Sequence, residues 1–155
     1  MFLGTHTPRL DEKGRLFLPA RFRDELAEGV VITKGQERCL YALTLERVAE
    51  VQRARAAAVA SDTARARALS RLGFGSMAEL EPDKAGRVTI PANLRQYAGL
   101  DRDVVVVGVD TRFEIWDSAT WDAYVEEQEA YQRALELTEN SAERAFLAQR
   151  IALVS

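Results

Sequence analysis

The sequence predicts an α+β protein: a small β-barrel built from two pseudo-symmetric halves of one chain, with peripheral helices. Three observations predict it. A thirteen-residue cassette occurs twice, at residues 11–23 and 83–95, offset by 72 residues without a gap. Each copy pairs turn chemistry with a short alternating strand, and a second strand pair follows each copy. The remaining segments read as helices, and no low-complexity linker separates the halves. Internal repeats come first because they decide the architecture. A 72-residue period present only twice is a duplication rather than a solenoid.

The first cassette reads Asp-Glu-Lys-Gly-Arg-Leu-Phe-Leu-Pro-Ala-Arg-Phe-Arg and the second Asp-Lys-Ala-Gly-Arg-Val-Thr-Ile-Pro-Ala-Asn-Leu-Arg. Asp, Gly, Arg, Pro, Ala and Arg are identical, and Leu16/Val88, Leu18/Ile90 and Phe22/Leu94 are apolar in both. Asp11 and Asp83 are turn-formers: a carboxylate can accept a backbone N–H two residues on. Gly14 and Gly86 supply the positive φ of the turn. Residues 15–18 and 87–90 then alternate as strands. Pro19 and Pro91 end them, since proline cannot donate to a ladder. Proline is also favoured at the first helical position, so a short helix should follow each. Phe22 with Leu26, and Leu94 with Tyr97 and Ala98, would form its buried stripe.

A strand pair comes next in each half. Residues 30–33 turn through Lys34-Gly35 and return near residues 39–42. Residues 104–107 turn near Asp110-Thr111 and return as residues 113–116. Each half is therefore strand, turn, strand, short helix, strand, strand, and two halves can close one barrel with few bare edges. An Ala/Arg-rich helical stretch runs from residue 44 or 45 to 72, with a break at Ser61-Asp62 and Val48, Val51, Leu69 and Leu72 as apolar anchors. Ser118 can cap a helix carrying Trp121, Tyr124, Val125 and Leu135. A further helix starts near Asn140 with Phe146, Leu147 and Ile151. The boundaries follow: a first half at 5–50, a helical connector at 51–76, a second half at 77–121 and a C-terminal helical segment at 122–155.

Composition sets the class. At 155 residues, 47% hydrophobic and 29% charged, the chain can bury a real core. No apolar stretch approaches the ~20 residues of a membrane span, and the N-terminus lacks the basic and apolar regions of a secretory signal. A single cysteine, Cys39, excludes an internal disulfide and fits a reducing cytoplasm. One histidine, His6, leaves no His/Cys cluster for a metal, and both residues read as ordinary packing or surface groups. The net charge of −3 hides an asymmetry. Residues 1–72 hold 13 Lys/Arg against 9 Asp/Glu, and residues 73–155 hold 8 against 15. A local basic face in the first half is what a phosphate would feel.

Arg15 and Arg87 leave the two turns. One reading is a salt bridge to the Asp of the same turn, worth little when exposed. The other is contact with phosphates or guanine edges, which suits the planar guanidinium. Arg15 ranks first because Arg9, Lys13, Arg21 and Arg23 lie nearby, giving residues 9–23 five Lys/Arg against two acids. Around Arg87, Lys84 and Arg95 are balanced by Glu79, Glu81 and Asp83. The arginines of the helical stretch, Arg47, Arg53, Arg55, Arg65, Arg67 and Arg71, read as a solvated face, and Trp116 and Trp121 as core or subunit-interface residues. Residues 118–145 carry seven Asp/Glu against two Lys/Arg and would lie away from DNA.

Catalysis finds little footing. The neighbouring carboxylates Asp11-Glu12 and Asp24-Glu25 diverge, no His or Cys stands ready as a base or nucleophile partner, and no Walker-type loop is present. No enzyme and no cofactor is expected. A structural or protein-interaction barrel without DNA binding is the alternative reading.

The two Asp-x-x-x-Arg motifs, Asp11/Arg15 and Asp83/Arg87, resemble those of the bacterial MraZ family. So do the opening Met-Phe-Leu-Gly, the Phe-Glu-Ile-Trp-Asp run at 113–117 and Arg-Gln-Tyr-Ala-Gly-Leu at 95–100. The resemblance covers roughly residues 1–125. It implies an AbrB/SpoVT-like swapped-hairpin barrel with both halves in one chain. It also implies a sequence-specific DNA-binding regulator, a repressor, acting on the promoter of its own division and cell-wall gene cluster. Its partners would be double-stranded DNA with repeated operator sites and further copies of itself in a ring-like homo-oligomer. It would be cytoplasmic, nucleoid-associated and independent of membranes. The expected DNA contacts are Arg15, Lys13, Arg9, Arg21, Arg23, Arg87 and Lys84, with Asp11, Gly14, Asp83 and Gly86 supporting the motifs.

Overall fold

The computed structural model describes residues 1–58 and 63–154. The chain divides into two compact units, residues 1–118 and 119–155. The first unit holds all the strands: β1 (Thr5–His6), β2 (Arg15–Phe17), β3 (Val30–Lys34), β4 (Leu40–Leu43), β5 (Ala78–Leu80), β6 (Arg87–Thr89), β7 (Val104–Val109) and β8 (Arg112–Asp117). Helices α1 (Leu45–Ala58) and α2 (Ala64–Gly75) lie between β4 and β5, and the short α3 (Ala92–Tyr97) follows β6. The second unit is the body of α4, which runs from Ser118 to Val154.

The strand order carries the duplication. One six-stranded antiparallel sheet runs β1-β7-β8-β4-β3-β5, and a separate ribbon pairs β2 with β6. Exchanging the halves maps β1 on β5, β3 on β7 and β4 on β8, and the sheet order then reads the same from either end. The leading strand of each half pairs with the hairpin of the other: β1 with β7 and β5 with β3. Hairpins β3–β4 and β7–β8 meet through β4 and β8 at the middle. Neither half completes its own sheet.

One core serves both halves. Leu16, Leu18, Phe22 and Leu26 from the first cassette region join Val88, Ile90, Leu94 and Ala98 from the second, with Ile32, Leu40, Val106, Phe113 and Ile115 from the sheet. Phe2, Phe22 and Phe113 form an aromatic cluster with centroids 4.9–5.2 Å apart, and His6 meets Phe22 edge-on. Trp116 is buried. The buried stripes expected after each proline are in place, but the two helices differ. The first is a single 3-10 turn, Ala20–Phe22, and the second is α3. Pro19 and Pro91 stand one position earlier than expected, at the N-caps with extended ψ, where they end the strand and set the entry angle together.

Four expectations need correction. The first turn lies beyond Lys34, which is still in β3. The chain reverses through residues 35–39, with Glu37 and Arg38 both at positive φ. Leu69 and Leu72 are exposed rather than anchoring, because helical spacing aligns them on one face without by itself covering that face. Ser118 is the first helical residue, and its N–H donates to the Asp103 carbonyl. No second helix starts at Asn140, because α4 runs through it: Asn140 is followed by residues of good helix propensity and nothing there breaks the ladder. The break expected at Ser61-Asp62 falls outside the described residues. Among the described residues no helix is long and apolar enough to cross a membrane.

Gly108 of β7 shows how tightly the segment leading into β1 is applied. A Cβ there would collide with the backbone of Phe2 and Leu3. Gly108→Ala should therefore lower stability by ~1–3 kcal/mol, the usual cost of overpacking. Gly75→Ala, where a Cβ meets nothing within 4 Å, should not. Thermal denaturation of the two variants checks both outcomes.

Candidate nucleic-acid interface

The site starts with a carboxylate at the beginning of each cassette. Asp11 Oδ1 accepts the backbone N–H groups of Lys13 and Arg15, both at 2.9 Å. Its Oδ2 accepts Arg15 Nε at 2.6 Å. In the second copy Asp83 Oδ1 accepts the N–H groups of Ala85 (3.0 Å) and Arg87 (2.8 Å), and Oδ2 accepts Arg87 Nε at 2.8 Å. Backbone bonds close both turns: the N–H of the Asp to the carbonyl of the Arg, and the N–H of the Gly to the carbonyl of the Asp. Gly14 and Gly86 take φ of +77° and +80°. One carboxylate thus fixes a five-residue loop and the arginine leaving it. Charge-assisted bonds of this length are the strong kind.

The ribbon decides which way the arginines face. Arg15 pairs with Thr89, Leu16 with Val88, and Phe17 with Arg87. Leu16 and Val88 are buried. Alternation along each strand puts Arg15, Phe17, Arg87 and Thr89 on the opposite, outward face. Arg15 and Arg87 occupy diagonal positions, which stand roughly 7–8 Å apart in an antiparallel pair. Both ion pairs run through Nε, which leaves the Nη edge of each fork to other acceptors. The two ends are not identical: Phe17 is 50% exposed and lies under the Arg87 guanidinium at 5.7 Å, whereas Arg15 has Thr89, the repeat partner of Phe17, across from it.

Other expected contacts are distributed around the turns. Lys13 and Lys84 are exposed within the loops, and Arg21 is exposed in the 3-10 turn after β2. Arg9 is exposed and ion-paired with Asp103 at 3.1 Å. Arg23 stands apart. Its Nε donates to the Leu18 carbonyl at 3.3 Å, and its guanidinium lies against Gly86 of the other half's turn. Arg95, its repeat partner, donates from Nε to the Ile90 carbonyl at 2.9 Å and lies against Gly14. Sequence reasoning did not place Arg95 or Phe17 among the site residues. The signal for Arg95 was present: it is one of the six identities of the repeat. A signal for Phe17 was present too: it alternates with Leu16 and Leu18, the positions apolar in both copies, and its repeat partner is the polar Thr89.

Little here suggests bond-making chemistry. The Cys39 thiol is buried, donates to the Gln36 carbonyl, and burial pushes its pKa up to about 12, so it is no nucleophile at neutral pH.

Comparison with known proteins gives the family. The family described as "MraZ protein, putative antitoxin-like" matches residues 1–71 and 74–146. The chain belongs to the MraZ family. It is 61% identical over 133 residues to the "Transcriptional regulator MraZ" of Thermobifida fusca, covering 83% of this chain and 90% of that protein. It is 60% identical to the protein of that name from Salinispora arenicola over 132 residues, with the same coverage. With that of Micrococcus luteus the identity is 56% over 133 residues, covering 84% and 90%. The family is one of regulators, not enzymes, and its two-part match follows the two halves of the fold.

The turns should respond to acid. The backbone N–H of Arg15 is the largest influence holding the Asp11 carboxyl below its ordinary value of 3.8, and that of Arg87 does the same for Asp83. A depressed carboxylate pKa stabilises the native state above the unfolded value, and this is lost as pH falls through the folded one. Carboxyl NMR titration should place both groups below 3.8, with the amide protection of Gly14 and Gly86 intact at neutral pH and falling only beneath that value.

Proposed function

We propose that the chain is a sequence-specific DNA-binding transcriptional repressor that acts on the promoter of its own division and cell-wall gene cluster. One observation carries this reading: a short two-stranded ribbon whose outward face presents two arginines, each oriented by a carboxylate. The B-DNA major groove admits such a ribbon, and an arginine fork suits the O6 and N7 acceptors of guanine. Arg15 is the principal reading residue and Arg87 the second. Arg9, Lys13, Arg21 and Lys84 supply phosphate contacts that position the ribbon. Arg23 acts through the turn it covers. Asp11, Gly14, Asp83 and Gly86 hold the motifs.

The sheet and the ribbon form the walls of one AbrB-like barrel around their shared core, with the halves at 5–50 and 77–121, the connector at 51–76 and the C-terminal segment at 122–155. A single ribbon makes few phosphate contacts and binds weakly at physiological salt. A ring-like homo-oligomer would set several ribbons against repeated operator sites and raise avidity through effective concentration. The acidic stretch of α4, with seven Asp/Glu against two Lys/Arg over residues 118–145, would repel phosphate rather than bind it. Function places the chain in the cytoplasm, on the nucleoid.

Binding titrations at fixed salt on the DNA upstream of the chain's own gene test this. Arg15→Ala should weaken binding by at least ~1–3 kcal/mol per affected bidentate contact while circular dichroism stays native, and Arg87→Ala should cost less. Absence of any salt-dependent binding by the wild type would instead favour a protein-interaction module. Sedimentation should show a species larger than a dimer; a monomer with full affinity would remove the avidity argument.

A further inference from the structure

The two halves hold each other's turns. A Cβ on Gly14 would stand 2.7 Å from both Cζ and Nε of Arg95, and a Cβ on Gly86 would stand 2.6 Å from Nε and 2.7 Å from Cζ of Arg23. The space a side chain would take over each glycine is therefore filled by the guanidinium. The same guanidinium donates to the carbonyl ending the strand of its own half, Leu18 for Arg23 and Ile90 for Arg95. Those two residues also donate their own N–H groups across to the other half, Leu18 to the Gly86 carbonyl at 2.9 Å and Ile90 to the Gly14 carbonyl at 2.8 Å. Each arginine so closes a small circuit: its own strand end, the opposite glycine, and the hydrogen bond between them.

We infer that Arg95 and Arg23 are crossed positioning residues: Arg95 fixes the turn that presents Arg15, and Arg23 fixes the turn that presents Arg87. The inference deepens the DNA-binding reading and rests on it for its functional arm. Planarity matters more than charge here. A guanidinium fills the shallow space over a glycine and donates sideways in one rigid unit, and an ammonium does not. A residue in this place also does not need to touch a phosphate to affect affinity. A small displacement of the turn moves the Arg15 fork away from its acceptor, and hydrogen bonds weaken steeply with misalignment.

Two measurements test the crossing. The first needs no DNA. Hydrogen exchange on the folded Arg95→Ala protein should speed up at Gly14 and Arg15 and leave Gly86 and Arg87 as in the wild type. Arg23→Ala should give the reverse. The second uses a short duplex enriched from a random pool by the wild-type protein. Arg95→Ala should weaken binding roughly tenfold, a usual size for coupled neighbours. It should add little to Arg15→Ala and be additive with Arg87→Ala. The slope of affinity against salt should stay at the wild-type value, and Arg95→Lys should not restore binding. A direct phosphate contact would behave differently: lysine would rescue, and the slope would fall by about 0.9 for each phosphate no longer neutralised. That outcome overturns the inference, as does exchange that quickens equally in both turns or only in the turn of the mutated half. If Arg95→Ala does not fold, Arg95→Met, which keeps the aliphatic stem and lacks the guanidinium, should show the same crossed exchange pattern, and failure to do so counts against the inference. Wild-type protein that binds no duplex, with the crossed exchange intact, would sink the DNA reading and leave the crossed positioning standing.

Discussion

Leu16 and Val88 face each other at the middle of the β2–β6 ribbon, and both are buried. That pairing joins residues 72 positions apart, one from each copy of the duplicated cassette. It fixes the register by which Arg15 meets Thr89 and Phe17 meets Arg87. A slip of one residue would turn the arginines into the core and the two apolar residues outward. The sheet repeats the dependence on a larger scale, since each half lends its leading strand to the other's hairpin. The interface and the fold are thus built together, and neither cassette has a completed environment without its copy.

Much of this was legible because the repeat isolates the positions under geometric demand. Asp, Gly and Arg recur because a carboxylate must gather two N–H groups and a guanidinium around a positive φ. Pro recurs where a strand must stop. The apolar pairs recur at the alternation that points inward. What the repeat showed without explaining was its final arginine. Arg23 sits among other cations, and local charge reads it as a phosphate contact without saying which part of the fold it packs against. Its neighbour in space is Gly86, far along the chain in the other cassette, a relation no local pattern contains.

The helices were less legible for a related reason. Helical periodicity reports which residues share a face, not whether anything covers that face. Leu69, Leu72, Phe146, Leu147 and Ile151 lie at helical spacing and are all exposed. The strands escape this ambiguity, because within the first unit each inward face meets the same core.

The two Asp–Arg ion pairs bear on what the arginines are for. Side chains that remain 28–40% exposed gain little stability from pairing in water. An ion pair kept twice in the same geometry, with little gain from the pairing itself, is better explained by what it does to the arginine. A free arginine would have to give up several rotatable bonds to meet an acceptor. Held at Nε by a carboxylate that is itself held by two backbone amides, it has already lost that freedom. The ordering cost of binding is then met during folding rather than on contact, which is how preorganisation raises affinity without adding a contact. The salt bridge and the proposed recognition role, which seem to compete for the same side chain, are therefore compatible: the carboxylate holds the Nε edge and leaves the Nη edge for an acceptor.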